Sequence, residues 1–250
     1  MFSSQFIRDI TLLRDGIESF GNYPFALPAI RSFDRMELHP GVTFIIGENG
    51  SGKSTLLEAI AVAAGFNPEG GTRNFSFSTR ASHSELHRYL RIGRGINKPT
   101  DGFFLRAESF FNVATEIERM DAEPAFGPPI IDSYGGVSLH EQSHGESFLA
   151  LVMNRFGGNG LYILDEPEAA LSPQRQLTVL ARMHDLIADH SQFIIATHSP
   201  IMMAYPDATI YDCSAEGLRR VEYTETEHYQ VTHDFLINPD RVFSQLFRRE

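Results

Sequence analysis

Residues 42–64 read VTFIIGENGSGKSTLLEAIAVAA, and this run constrains the fold more than any other part of the chain. Val42, Thr43, Phe44, Ile45 and Ile46 are β-branched or aromatic and predict a strand buried on both faces. The Ala- and Leu-rich stretch from Ser54 onward predicts a helix that Gly65 ends. Between them, Gly47, Glu48, Asn49, Gly50, Ser51, Gly52, Lys53, Ser54 and Thr55 fit G-x-x-x-x-G-K-[ST]. The glycines let the backbone wrap so that its N–H groups converge on phosphate oxygens. Lys53 reaches the outer phosphates, and Ser54 offers a hydroxyl to Mg2+. A buried strand feeding such a loop and then a helix belongs in an α/β fold with a mostly parallel sheet.

Two more apolar runs end in groups that suit the same chemistry. Leu161, Tyr162, Ile163 and Leu164 predict a second buried strand that carries Asp165 and Glu166 to its carboxyl end, where α/β proteins place ligands. Asp165 suits Mg2+, and Glu166, one residue on, is free to polarise an attacking water. Phe193, Ile194, Ile195 and Ala196 predict a third strand, with His198 just past its end and within reach of a terminal phosphate.

The remaining chain divides around this core. Residues 84–92 are read as helical, 110–120 as a helix, and 124–136, with three prolines and three glycines, as a loop. A helix is expected over 146–156. Another starts at Ser172-Pro173, with Ser as cap and Pro in the first turn. Short strands are expected over 209–223, and two short helices broken at Asn238-Pro239 form the tail. Residues 75–157 lack the apolar strands of the core and read as an inserted helical lobe. The expectation is one domain over 1–250: a core lobe of about 1–74 and 158–225, an inserted lobe of about 75–157, and a helical tail of about 226–250.

Composition narrows the setting. The net charge is −11, yet residues 73–106 hold seven basic and two acidic residues. That segment reads either as a solvated face or as a docking surface for nucleic acid or an acidic partner. Lysine occurs only at 53 and 98, which singles out Lys53. The single cysteine, Cys213, excludes an intrachain disulfide and suits a reducing cytoplasm. The first residues are too polar for a signal peptide. No apolar run reaches the length of a membrane span, so direct membrane insertion is not expected.

Taken in order, these motifs resemble an ABC-type ATPase. The likeness covers most of the chain: the phosphate loop at 47–55, a signature at 143–147, the Asp165–Glu166 strand, a loop at 169–173 and a switch histidine at 198. It is nearest to small stand-alone bacterial ABC-type ATPases, also described as AAA-family, with an SMC-like signature. The resemblance implies ATP and Mg2+ as cofactors, hydrolysis with Glu166, His198 and Lys53 as catalytic residues, and a head-to-tail homodimer. In such a dimer Ser143, Gly145 and the helix start near Glu146 cap the terminal phosphate of ATP held by the other protomer, since a helix N-terminus favours an anion.

This sequence departs from the transporter pattern at three points. Gln142 precedes the serine, His144 replaces the first signature glycine, and Glu146 replaces the usual glutamine. The gap of about 90 residues between loop and signature is too short for a long coiled coil. No loop glutamine is evident near 103–109, which leaves Glu108 as the candidate metal ligand there, beside Ser54 and Asp165. Tyr23, Phe25 and Phe33 are candidates to stack on adenine or to fill the core. His83 and His87 read as a solvated pair, and His228 and His233 as surface or packing residues. Besides a non-hydrolysing regulatory binder, which intact Asp165, Glu166 and His198 disfavour, two functions stay open. One is a soluble ATP-driven switch acting on nucleic acid or a partner protein. The other is the nucleotide-binding subunit of a membrane transporter.

Overall fold

A computed structural model describes residues 5–72, 84–106, 110–123, 127–214 and 216–247. Strand β1 (Ile7–Leu12) is followed by a single turn of helix, α1 (Pro28–Arg31), and β2 (Arg35–Glu37). Then come β3 (Val42–Gly47), α2 (Lys53–Ala64), β4 (Leu90–Arg94) and β5 (Asp101–Arg106). Helices α3 (Phe110–Ala122) and α4 (His144–Ala150) precede β6 (Gly160–Asp165). The chain continues through α5 (Pro173–Ala188), β7 (Gln192–Ala196), α6 (Pro200–Met203), β8 (Thr209–Ser214) and β9 (Gly217–Val221). It finishes with α7 (Glu227–Ile237) and α8 (Pro239–Leu246).

Six strands form the main sheet in the order β5-β6-β7-β3-β8-β9. All neighbours are parallel except β8 and β9. Every residue of β3, β6 and β7 is buried, as expected for strands covered on both faces. Alternation along each strand feeds two apolar layers. Phe44, Ile46, Tyr162, Leu164, Phe193 and Ile195 face the layer built with α3, α4 and α5. Ile45, Ile163, Ile194 and Ala196 face α2, α1 and a three-stranded antiparallel sheet of order β2-β1-β4. Gln192 ties the sheets together, accepting from the Phe6 and Ile7 amides at 3.1 and 3.0 Å and donating to the Ile7 carbonyl at 2.8 Å.

Three expectations change. Residues 84–92 are not one helix: a 3-10 turn, Glu85–Tyr89, runs into β4. Tyr89 and Leu90 close the second apolar layer instead of a helical stripe. Within the stretch assigned to an inserted lobe, β5 pairs in parallel with β6, from Asp101↔Gly160 to Arg106↔Asp165. Its buried Gly102, Phe103, Phe104 and Leu105 are a short apolar run of the kind that fills a covered sheet, so the core reaches to Arg106 and the helical portion starts at Phe110. The helix expected over 146–156 begins earlier, at His144, because Ser143 caps it, and it ends in a π-turn, Leu151–Arg155.

Candidate functional site

Strand order decides what can meet. β7 lies between β6 and β3, so the carboxyl ends of three neighbouring parallel strands deliver the phosphate loop, Asp165 with Glu166, and His198 to one edge.

The loop after β3 turns through left-handed backbone at Gly47, Gly50 and Gly52 (φ 137, 81 and 104°). At Gly47 a side chain would also strike β8, since an added Cβ would lie 2.4 Å from the Cys213 carbonyl oxygen. Ser51, Gly52 and Lys53 are buried, whereas Glu48, Asn49 and Gly50 form the exposed rim. Lys53 Nζ donates to the Glu48 carbonyl at 3.0 Å, so its ammonium is folded into the loop. Burial lowers the Lys53 ammonium below its ordinary range, against the pull of Glu166. Ser54 and Thr55 sit half-buried in the first turn of α2.

Ser54 Oγ donates to Asp165 Oδ1 at 3.1 Å and so brings the two candidate magnesium ligands together. Burial pushes the Asp165 carboxyl up to about 6, with the Ser54 hydrogen bond opposing and Glu166 reinforcing. The donor set fits the ion. Among the described residues no group of three or more His, Cys, Asp or Glu side chains could hold a metal by itself. Mg2+ is commonly held by one or two carboxylates together with substrate phosphates. The nucleotide fits as well: Ser51 Oγ in the loop and His198 Nε2 beside it are buried without a hydrogen-bond partner. Glu108 lies outside the described residues. At the end of β5, Arg106 stands in register with Asp165 and pairs with Glu58 at 2.6 Å.

Glu166 adopts left-handed backbone (φ 49, ψ 53°), a costly conformation for a non-glycine residue and one that concentrates at functional sites. Its amide donates to the Ala196 carbonyl at 2.9 Å, which extends the β6–β7 ladder and fixes the turn. Its Oε1 lies 3.4 Å from His198 Nε2. The amide of His198 donates to Glu168 Oε1 at 2.6 Å. Glu168 was not singled out from the sequence. It holds the backbone at His198 from two residues beyond Glu166.

At the signature, Ser143 caps α4 in a reciprocal box. Its amide and hydroxyl donate to Glu146 Oε2 at 3.1 and 2.6 Å, and the Glu146 amide donates back to Ser143 Oγ at 3.4 Å. Glu146 Oε1 faces Arg175 Nη2 at 3.4 Å. Ser143, His144 and Glu146 are exposed, while Gly145 is buried. An added Cβ at Gly145 would fall 2.4 Å from the Ala170 carbonyl oxygen, so this glycine lets α4 approach the segment after β6. A cleft of about 590 Å³ runs between them, with Ser143, His144, Phe148, Glu166, Pro167 and Arg175 on its walls.

A second cleft, about 430 Å³, opens over the phosphate loop, with Pro28, Asn49, Ser51, Asp212, Glu227 and His228 around it. Of the aromatic candidates for adenine, Phe25 and Phe33 belong to the core and Tyr23 is exposed. His228, read from the sequence as a surface or packing residue, lies at the site instead: its Nε2 meets His198 Nδ1 at 3.2 Å. A histidine 30 positions away from its partner, in a polar tail, carries no sequence signal of this contact. His83 lies outside the described residues. His87 Nδ1 contacts the Ser84 carbonyl at 3.1 Å.

A family model described as an AAA domain matches residues 16–116. A curated plant protein, the ABC transporter G family member STR2 of Medicago truncatula, is 25% identical over 172 residues. That match takes in 64% of this chain and 24% of the relative, so the chain spans about a quarter of that protein's length. Among solved structures, MJ1267, an ATP-binding cassette of an ABC transporter, aligns with a TM-score of 0.53 and 18% identity, over 94% of this chain and 98% of its own. An inward-facing transporter described as of metal-chelate type aligns with a TM-score of 0.50 and 16% identity, over 91% and 88%. The fold is that of an ATP-binding cassette.

Proposed function

We propose that two copies of this chain close around ATP and Mg2+, hydrolyse the ATP, and use the cycle as a soluble switch on nucleic acid or a partner protein. The amides of residues 47–55 and Lys53 would hold the phosphates, with Ser54 and Asp165 holding Mg2+. The ion, when bound, neutralises charge on the phosphates. Glu166 accepts a proton from the attacking water, and His198 donates to the terminal phosphate. Ser143 and Glu146 of one copy, with the helix start they cap and the close packing that Gly145 permits, face the nucleotide of the other.

One observation carries the dimeric reading. Ser143, His144 and Glu146 are exposed at the tip of a capped helix, with Ser143 and His144 on the wall of an open cleft that Glu166 also lines. An exposed helix start of this kind supports a reading in which it meets the nucleotide of a second copy. The nucleic-acid arm is supported by Arg88, Arg91, Arg94 and Lys98, all exposed on or next to the edge strand β4.

The alternative, a nucleotide-binding subunit of a transporter, is favoured by a different observation: the curated relative and the solved neighbours above are transporters or their cassettes. Among the described residues no helix is long and apolar enough to cross a membrane, so transport would require a separate membrane-spanning partner.

One variant separates the readings. Glu166→Gln, incubated with Mg–ATP, should sediment as a dimer and retain ATP, and it should shift DNA or RNA at low salt. The shift should weaken steeply with added salt and vanish when Arg88, Arg91 and Arg94 are replaced. Rapid turnover in this variant would remove Glu166 from its role. Co-fractionation with a membrane protein, with no nucleic-acid shift, would establish the transporter reading.

A further inference from the structure

His228 reaches the site from the C-terminal tail, and its placement is built. Thr226 caps α7, accepting from the Tyr229 amide at 3.2 Å and donating to the Tyr223 carbonyl at 2.8 Å. The Tyr223 hydroxyl in turn donates to the Pro200 carbonyl at 3.0 Å, two residues beyond His198. The first turn of α7 is therefore pinned to the same loop that carries the switch histidine. Glu227, His228, Val231 and Thr232 then line a cleft with Glu48 and Asn49 of the phosphate loop.

The contact between the two imidazoles fixes where protons sit. His198 Nδ1 and His228 Nε2 are 3.2 Å apart, so one donates and the other accepts. The other nitrogen of His198, Nε2, lies 3.4 Å from Glu166 Oε1 and makes no hydrogen bond. A proton on His198 Nδ1 would turn a bare lone pair on Nε2 toward a carboxylate oxygen. With the proton on Nε2, both sides are favourable: Nε2–H faces the carboxylate, and Nδ1 accepts from His228 Nε2–H. Burial, reinforced by His198, holds His228 below the ordinary imidazole range, which favours its neutral form.

We infer that His228 is a positioning residue. It locks His198 in the Nε2–H tautomer, so that the donor aimed at the space between Glu166 and the phosphate loop is in place before the nucleotide arrives. The inference rests on the ATPase reading above and deepens it, because the tail becomes part of the hydrolytic site. Displacing α7 from that site would release His198 to either tautomer.

The test reads the tautomer directly. In wild-type protein labelled with 15N at histidine and held at alkaline pH, the His198 imidazole should give the pattern of a ring with its proton on Nε2 and a bare Nδ1. In His228→Ala that pattern should change toward a mixture, and kcat should fall about tenfold or more while KM for ATP stays within about twofold. His228→Gln, which keeps an N–H donor at similar reach, should recover most of the lost kcat and the wild-type pattern. Unchanged His198 signals in His228→Ala overturn the inference, as does a Gln variant no better than Ala. A wild-type protein without turnover would instead count against the ATPase reading, and the 15N measurement would still decide the tautomer. Thermal melting of both variants separates a loss of fold from a loss of positioning.

Discussion

Ser54 and Asp165, 111 positions apart in the chain, are joined by one hydrogen bond of 3.1 Å across the carboxyl edge of the main sheet. The contact brings the start of α2 to the end of β6, and it holds a carboxylate in a place that water barely reaches.

That placement has a measurable cost. An ordinary aspartate titrates near 3.9, whereas burial pushes Asp165 up to about 6. The folded ligand-free protein therefore binds this proton more tightly than the unfolded chain. The ionisation penalty is complete above about pH 6, fades as pH falls from 6 toward 4, and is absent below. Asp165→Asn should raise the stability of the ligand-free protein at pH 8 by up to roughly 2–3 kcal/mol and leave it unchanged below about pH 4, while Mg–ATP no longer stabilises it. Chemical denaturation at both pH values, with and without Mg–ATP, checks this. A destabilised variant at pH 8 would contradict the buried-charge account.

Lys53 is folded into its own loop, donating to Glu48. Lys53→Ala removes the charge-assisted contact to phosphate and leaves that carbonyl without its ammonium. The Kd for ATP should rise by about 100-fold, equivalent to ~2.7 kcal/mol, as measured by calorimetry. Affinity within threefold of wild type would mean that the loop amides alone hold the nucleotide.

Gly47→Ala combines two faults, a left-handed backbone and a Cβ 2.4 Å from the Cys213 carbonyl oxygen. The strands cannot separate without opening the β3–β8 ladder, so a loss of about 2–4 kcal/mol is expected, along with weaker nucleotide binding. Urea midpoints for the two proteins measure the first effect. A midpoint equal to wild type would show that β8 yields at little cost.

His144→Glu tests the signature tip without touching its cap. The residue is exposed in the first turn of α4, where a carboxylate favours the helix dipole, so the fold should be unaffected or slightly more stable. The same charge opposes a triphosphate docking on that tip. In the Glu166→Gln background, ATP-dependent dimer should be lost on sedimentation while the melting temperature holds. A dimer of wild-type affinity would place the nucleotide-binding face elsewhere.

What the sequence made legible follows from burial. The apolar runs of β3, β6 and β7 are continuous because both faces of a parallel sheet are covered, and each run ends on the residue that does chemistry. β1 escaped notice because its sheet is covered on one face only: Arg8 is exposed and Asp9 half-buried between Ile7 and Ile10. β5 was hidden because its apolar run is only Phe103, Phe104 and Leu105, without a β-branched residue, between Gly102 and Arg106. At the site, Glu48, Asn49 and the other loop positions are readable from local spacing. The Glu168 contact to the His198 amide and the His228 contact to its ring join segments 30 positions apart, and no local pattern encodes either.

Hanging the loop, the paired carboxylates and the imidazole from three adjacent strands has a thermal corollary. These groups ride on rails about 4.8 Å apart, stitched by one ladder, so they come undone only when the sheet itself melts. The tip at Ser143 sits on a two-turn helix in another layer, tied to that frame by packing at Gly145 and the Glu146–Arg175 pair rather than by the ladder. On gradual heating, two-copy association should fail first, several degrees before a single copy loses its grip on the nucleotide.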